Sequence, residues 1–217
     1  MTLIARITID GIPVYIGDLL LSSERKPDKE IHIPAATDIN KFISSSKGRF
    51  IAGLTPKLNI LSHRLIMGWA GSRMQARSLM KDIRALEGMS KFNWPGVLEL
   101  VEQLPESDKN DVSLIGTILT SDVPPKTGLH FDHFNFRMEK HLLSGGEIEI
   151  RCAGTGTKDL LDAVPQVVHS VKWTASNSLK ERLISAEKIA MALQGALIGY
   201  EVVSGQNLLE WWGVELR

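Results

Sequence analysis

The order of strand-like and helix-like segments constrains the fold of this 217-residue chain more than any other feature. Two apolar runs rich in β-branched residues, 3–9 and 14–21, flank the turn signal Asp10-Gly11 and together predict a β-hairpin. Similar runs predict further strands at 57–61, 64–69, 112–119, 129–137, 147–153, 208–212 and 214–216.

Helices are predicted between these groups of strands. Apolar residues at helical spacing follow Ala70-Gly71-Ser72 as far as Gly88, and a second helix is predicted from the capping residue Asn93 to Leu104. A short helix is predicted at 158–164 and a long one at about 179–203. This order predicts an α+β fold, a four-layer αββα sandwich in which helices cover two stacked antiparallel sheets. We expect one domain over 1–217, with a long inserted loop around 23–56.

Composition argues against several classes of partner and site. Twenty-five basic residues balance twenty-five acidic ones, so bulk charge gives no reason to expect nucleic acid or a membrane surface. The single cysteine, Cys152, forms no internal disulfide, and no apolar run is long enough to span a bilayer, which favours a cytoplasmic protein. His130 and His133 stand three apart on a predicted strand and therefore on opposite faces, so we predict no metal site and no cofactor.

Several short segments carry a resemblance to a known family. They are Met1-Thr2-Leu3-Ile4, Gly17-Asp18, Lys57-Leu58 with Ala70-Gly71-Ser72 fourteen residues later, Gly154-Thr155-Gly156, and Tyr200-Glu201-Val202-Val203-Ser204-Gly205. In this order they make the chain resemble the proteasome β-subunits and their bacterial relatives, which belong to the N-terminal-nucleophile hydrolase superfamily. The resemblance covers nearly the whole chain apart from residues 23–56.

The chemistry of such an enzyme needs these residue types. Removal of Met1 would leave Thr2 with a free amine, which is a base on the same residue as the hydroxyl nucleophile. A two- or three-residue loop at Asp10-Gly11 would bring Asp18 opposite Leu3 or Ile4, where it could hold the ammonium of Lys57. The backbone N–H of Gly71, at a strand-to-helix junction, could stabilise a tetrahedral oxyanion.

The resemblance implies further roles. Thr155, Glu201 and Ser204 would form a hydrogen-bonded group around the terminal amine. Ser22 and Gly71 would line the cleft for an extended substrate, and Trp69 would lie in the side-chain pocket. The implied function is a threonine-type peptidase or amide hydrolase that acts on a protein or peptide substrate. The implied assembly is a homo-oligomeric ring. Since the chain lacks a phosphate-binding Gly-x-x-x-x-Gly-Lys-Ser/Thr motif, any unfolding activity would come from a separate ATPase partner.

Three departures from the family pattern leave alternatives open. Glu201 stands where aspartate is usual, Leu20 stands where arginine is common, and thirty-nine residues separate Asp18 from Lys57, which is a longer interval than the family has. One alternative is a catalytically inactive, ring-forming scaffold subunit in which Thr2 is an ordinary strand residue behind a retained Met1. Another is an amidase that acts on small amides rather than peptides.

Overall fold

The computed structural model describes residues 3–23, 50–87, 93–120, 130–143, 147–171, 178–204 and 215–216. The strands of these residues are β1 (Ile4–Ile9), β2 (Ile12–Gly17), β3 (Leu20–Ser23), β4 (Phe50–Leu54), β5 (Leu58–Ile60), β6 (Leu65–Gly71), β7 (Val112–Thr120), β8 (His130–Phe136), β9 (Glu139–Leu143), β10 (Ile148–Ala153) and β11 (Glu215–Leu216). Their helices are α1 (Arg73–Glu87), α2 (Trp94–Glu102), α3 (Glu106–Asn110), α4 (Thr157–Val171) and α5 (Leu179–Ser204).

Most of these strands form two antiparallel sheets. The first sheet has the order β11-β2-β1-β10-β9, the second has the order β5-β6-β7-β8, and β3 pairs with β4 in a separate ribbon. The β1–β2 hairpin turns through two residues, since Ile9 pairs with Ile12. Asp10 and Gly11 both have positive φ, 48° and 77°, as the predicted Asp-Gly turn requires.

Three apolar clusters show how the layers are stacked. Alternate side chains of β1, β2 and β10 face α4 and α5, and alternate side chains of β6 and β7 face α1 and α2. The opposite faces of the two sheets meet each other in a third cluster, whose buried members are Ile4, Tyr15, Leu58, Ala70, Ile115 and Ala153. The layers therefore run helix, sheet, sheet, helix, and the predicted four-layer α+β sandwich is confirmed.

Several elements differ from the sequence prediction. β9 and α3 were not predicted, because β9 has the sequence Glu-Lys-His-Leu-Leu without apolar alternation, and α3 is five polar residues long. The helix predicted at 158–164 continues to Val171 through Pro165, because Val164 and Val167 are buried against the first sheet.

Part of the predicted insertion and one predicted strand lie outside the described residues. Strand β4 lies within the loop predicted around 23–56, while 24–49 and the strand predicted at 208–212 lie outside the described residues. The single domain over 1–217 stays a prediction. Among the helices that the structure describes, none is both long and apolar enough to cross a membrane.

Candidate active site

A buried ion pair lies at the end of β2. The backbone N–H of Asp18 donates to the carbonyl oxygen of Leu3 at 3.0 Å, and the N–H of Leu3 donates to the Asp18 carboxylate oxygen Oδ1 at 3.1 Å. The Lys57 ammonium donates to the same Oδ1, and both charged side chains are only 1% exposed. The ion pair predicted between Asp18 and Lys57 is therefore confirmed, and it is joined to the first described residue of the chain.

Two glycines allow the sheets to approach closely enough for this pair to form. A Cβ on Gly17 would lie 2.9 Å from Cγ of Leu58, and one on Gly68 would lie 2.8 Å from its Cδ2. Leu58 thus fills the space between a glycine of the first sheet and a glycine of its own sheet. Because Asp18 follows Gly17 and Lys57 precedes Leu58, this packing brings their side chains together.

Burial dominates the electrostatics of the pair. Removal from water lowers the pKa of Lys57 from its ordinary value of 10.5, although the charge and the hydrogen bond of Asp18 oppose that change. Burial also raises the pKa of Asp18 above its ordinary 3.8, against the opposing effects of Lys57 and the Leu3 N–H. Release of a proton from Lys57 therefore costs less than it would from a solvated lysine.

Gly71 occupies a position that only glycine fits. Its φ is +96°, and a Cβ there would lie 1.9 Å from the carbonyl oxygen of Asp111. The N–H of Ser72 donates to that same oxygen at 2.7 Å, and α1 begins at the next residue. Gly71 is exposed, so the backbone at this strand-to-helix junction is accessible to a ligand beside the positive end of the helix dipole.

Thr155 leaves the first sheet beside the start of β1. Ile4 pairs with Ala153, the last residue of β10, and Gly154 then turns the chain with a φ of +111°. Thr155 is exposed, and the N–H of Thr157 donates to the carbonyl oxygen of Gly154 at 3.3 Å as α4 begins. Two strand ends of the first sheet, carrying Asp18 and Thr155, therefore flank the beginning of β1.

Most of the remaining predicted site residues lie wholly or partly outside the described residues. Thr2 lies outside the described residues, and so do the side chains of Ser22 on β3 and of Glu201 and Ser204 on α5. Trp69 is 1% exposed and packs between the second sheet and helices α1 and α2, so its role in a substrate pocket stays a prediction.

Sequence reasoning missed a second buried polar group between the sheets. Arg6, Tyr15 and Thr117 are all buried. The Tyr15 hydroxyl shares a hydrogen bond with the Thr117 hydroxyl, and the Thr117 hydroxyl lies 2.7 Å from Nδ1 of His133. The available signal was a charged residue inside the apolar strand Ile-Ala-Arg-Ile-Thr-Ile. In the part of the chain that the structure describes, no three histidine, cysteine or acidic side chains group as metal ligands.

Comparison with known proteins assigns no family. No protein-family model matches the chain, and no curated protein matches it. Among solved structures, the crystal structure of eukaryotic HslV from Trypanosoma brucei is similar over 99% of this chain and 98% of that chain, with 17% identity and a TM-score of 0.48. Similarity at this level identifies neither an activity nor a partner of the chain.

Proposed function

We propose that this chain is an N-terminal-nucleophile hydrolase that cleaves amide bonds through an acyl-enzyme on Thr2, after removal of Met1. The observation that carries the proposal is the buried pair of Asp18 and Lys57, bonded to the backbone of the residue that follows Thr2. A positive charge held next to a terminal threonine would lower the pKa of its hydroxyl and keep its α-amine neutral.

In the proposed acylation step, Oγ of Thr2 attacks the carbonyl carbon of the substrate and its proton passes to the α-amine of the same residue. The carbonyl electron pair moves onto oxygen, and the N–H of Gly71 donates a hydrogen bond to that oxyanion. Breakage of the carbon–nitrogen bond then expels the amine product. This product takes the proton from the α-ammonium, and an ester remains on Thr2.

Water completes the proposed cycle. The water oxygen attacks the ester carbonyl while the α-amine accepts its proton, and collapse of the intermediate releases the acid and returns a proton to Oγ of Thr2. Lys57 acts as the neighbouring positive charge, held in place by the Asp18 carboxylate. Thr155, Glu201 and Ser204 are proposed to hold the amine by hydrogen bonds.

A protein or peptide is the proposed substrate. It would lie extended along Ser22 and the exposed backbone of Gly71. Trp69 would form the floor of the side-chain pocket, where an indole ring leaves room only for small side chains. Assembly into a homo-oligomeric ring, and service by a separate ATPase, belong to the same proposal.

A peptide epoxyketone tests the chemistry directly. This electrophile is retained by a terminal threonine because the hydroxyl adds to the ketone and the free α-amine opens the epoxide. Intact mass should show loss of Met1 and then addition of one whole inhibitor. Thr2→Ala should give no adduct, while Thr8→Ala, which removes another threonine hydroxyl of the N-terminal segment, should react as the wild type does.

The outcome against the proposal is equally distinct. Protein with a free Thr2 amine that forms no adduct would not be a threonine hydrolase. Quantitative retention of Met1 would leave the α-amine of Thr2 blocked in a peptide bond and would favour the inactive scaffold subunit.

A further inference from the structure

Three basic side chains lie in one row across the first sheet. Arg6 on β1 pairs directly with Arg151 on β10, and Arg151 pairs directly with Lys140 on β9. Residues directly opposite in antiparallel strands project on the same side of the sheet, and like charges at such positions repel each other. The row faces the second sheet, because the alternate residues of β1 and β10 pack against α4 and α5.

A single carboxylate, that of Glu149, bonds to all three cations. Glu149 accepts from Arg6 Nη2 at 3.1 Å and from Arg151 Nε at 3.0 Å through Oε1, and from Lys140 Nζ at 3.2 Å through Oε2. Partial burial would raise the pKa of Glu149, but the hydrogen bonds from Arg151 and Lys140 outweigh it and hold that pKa low. Three cations and one ionised carboxylate leave an excess of two positive charges.

Arg6 also has unused hydrogen-bonding capacity. Its side chain is 2% exposed, and within the described part of the chain neither Nε nor Nη1 has a hydrogen-bond partner. The hydroxyl of Thr8, two residues along β1 and opposite Glu149, is likewise buried and unpaired among the described residues. A buried guanidinium that lacks partners for two of its nitrogens is costly, so this region favours an added acceptor.

Hydroxyl groups lie beside the row, between the two sheets. On β2, Tyr15 lies directly opposite Arg6. Its hydroxyl shares a hydrogen bond with the hydroxyl of Thr117 on the second sheet, and the Thr117 hydroxyl also contacts Nδ1 of His133. Exposure increases along the row, from 2% for Arg6 to 21% for Arg151 and 44% for Lys140, so the row opens to solvent towards β9.

We infer that Arg6, Arg151 and Lys140 form a binding site for a dianionic phosphate-type oxyanion between the two sheets. Two negative charges would balance the excess charge of the row, and tetrahedral oxygens would accept from the free guanidinium nitrogens of Arg6. The site is separate from the proposed hydrolase chemistry and does not depend on it.

Titration with inorganic phosphate in chloride buffer at constant ionic strength tests the site. Wild-type protein should show a saturable heat of binding by calorimetry and an unfolding temperature that rises with phosphate concentration. Arg151→Gln should weaken binding about tenfold, since it removes a charged hydrogen-bond donor. Lys109→Gln, a control on α3 that removes the same charge elsewhere, should leave the affinity unchanged.

Glu149→Gln separates an anion site from a purely structural network. With the competing carboxylate neutralised, the three cations should bind phosphate more tightly than in the wild type, even if the variant is less stable without phosphate. If the network were only structural, the variant would lose stability with no gain in affinity. Absence of saturable binding at millimolar phosphate, or equal losses in Arg151→Gln and Lys109→Gln, would overturn the inference.

Discussion

Replacing Lys57 by methionine is expected to destabilise the fold by leaving the Asp18 carboxylate buried without its cation. Removing one partner of a buried ion pair costs about 3–5 kcal/mol. Because Asp18 keeps the hydrogen bond from the Leu3 N–H at 3.1 Å, we expect a value near the lower limit, about 3 kcal/mol. A domain whose unfolding free energy lies in the usual range of about 5–15 kcal/mol would still fold.

A double-mutant cycle isolates the interaction. Asp18→Asn in the Lys57→Met background removes the stranded charge while keeping the size of the side chain. The double variant should therefore be more stable than Lys57→Met alone, with a coupling energy of about 2 kcal/mol. Urea denaturation at pH 7 of the wild type, both single variants and the double variant measures that energy.

The pH dependence provides a second measurement on the same variants. Without Lys57, burial raises the pKa of Asp18 further above its ordinary 3.8. A carboxyl whose folded pKa is raised favours the folded state below its unfolded pKa, and that contribution is lost as pH rises. The deficit of Lys57→Met should thus shrink as pH falls towards 4. Additive costs in the cycle, or a deficit independent of pH, would refute a buried pair.

Two further predictions concern other parts of the fold. Gly71→Ala should lower the free energy of unfolding by about 3 kcal/mol in urea denaturation, because its Cβ would meet the carbonyl oxygen of Asp111 at positive φ. Gly96→Ala in helix α2 serves as control and should be neutral or stabilising, since the atom nearest to its Cβ is 3.4 Å away. Burial raises the pKa of Tyr15 to about 12 from 10.0, so its contribution to stability, present below pH 10, should fall by about 2 kcal/mol as pH rises to 12. Tyr15→Phe should lack that part of the decline, and an equal decline in both proteins would contradict the assignment.

Local sequence signals predicted the fold because each sheet packs one face against helices and the other face against the second sheet, which leaves apolar patterns in the sequence. The alternation in β1 and the helical spacing in α1 each report which side is buried, and Asp10-Gly11 fixes the hairpin register. Edge strand β9 and short helix α3 escaped prediction because partly exposed elements need no apolar pattern.

A charged partner for Asp18 was predictable, because a charge next to an apolar strand needs one, while the choice of Lys57 came from the family resemblance. The packing that brings Asp18 and Lys57 together was not predictable, because Leu58 contacts Gly17 and Gly68 across two sheets whose strands are far apart in the sequence. The row of Arg6, Arg151 and Lys140 was equally hidden, because nothing local reveals which residues of β1, β10 and β9 lie opposite one another.

The energetics of the Asp18–Lys57 pair bear on the choice between hydrolase and scaffold. Buried ion pairs can often be replaced by apolar residues of similar volume without loss of stability, because desolvation offsets much of the attraction. Leu58 packs tightly against Gly17 and Gly68, so apolar contacts join the sheets beside the pair. A subunit that served only as a scaffold could join the sheets at this place with apolar residues instead. The proposed hydrolase would use the pair as a held positive charge bonded to the backbone of Leu3, and the epoxyketone experiment separates it from the scaffold.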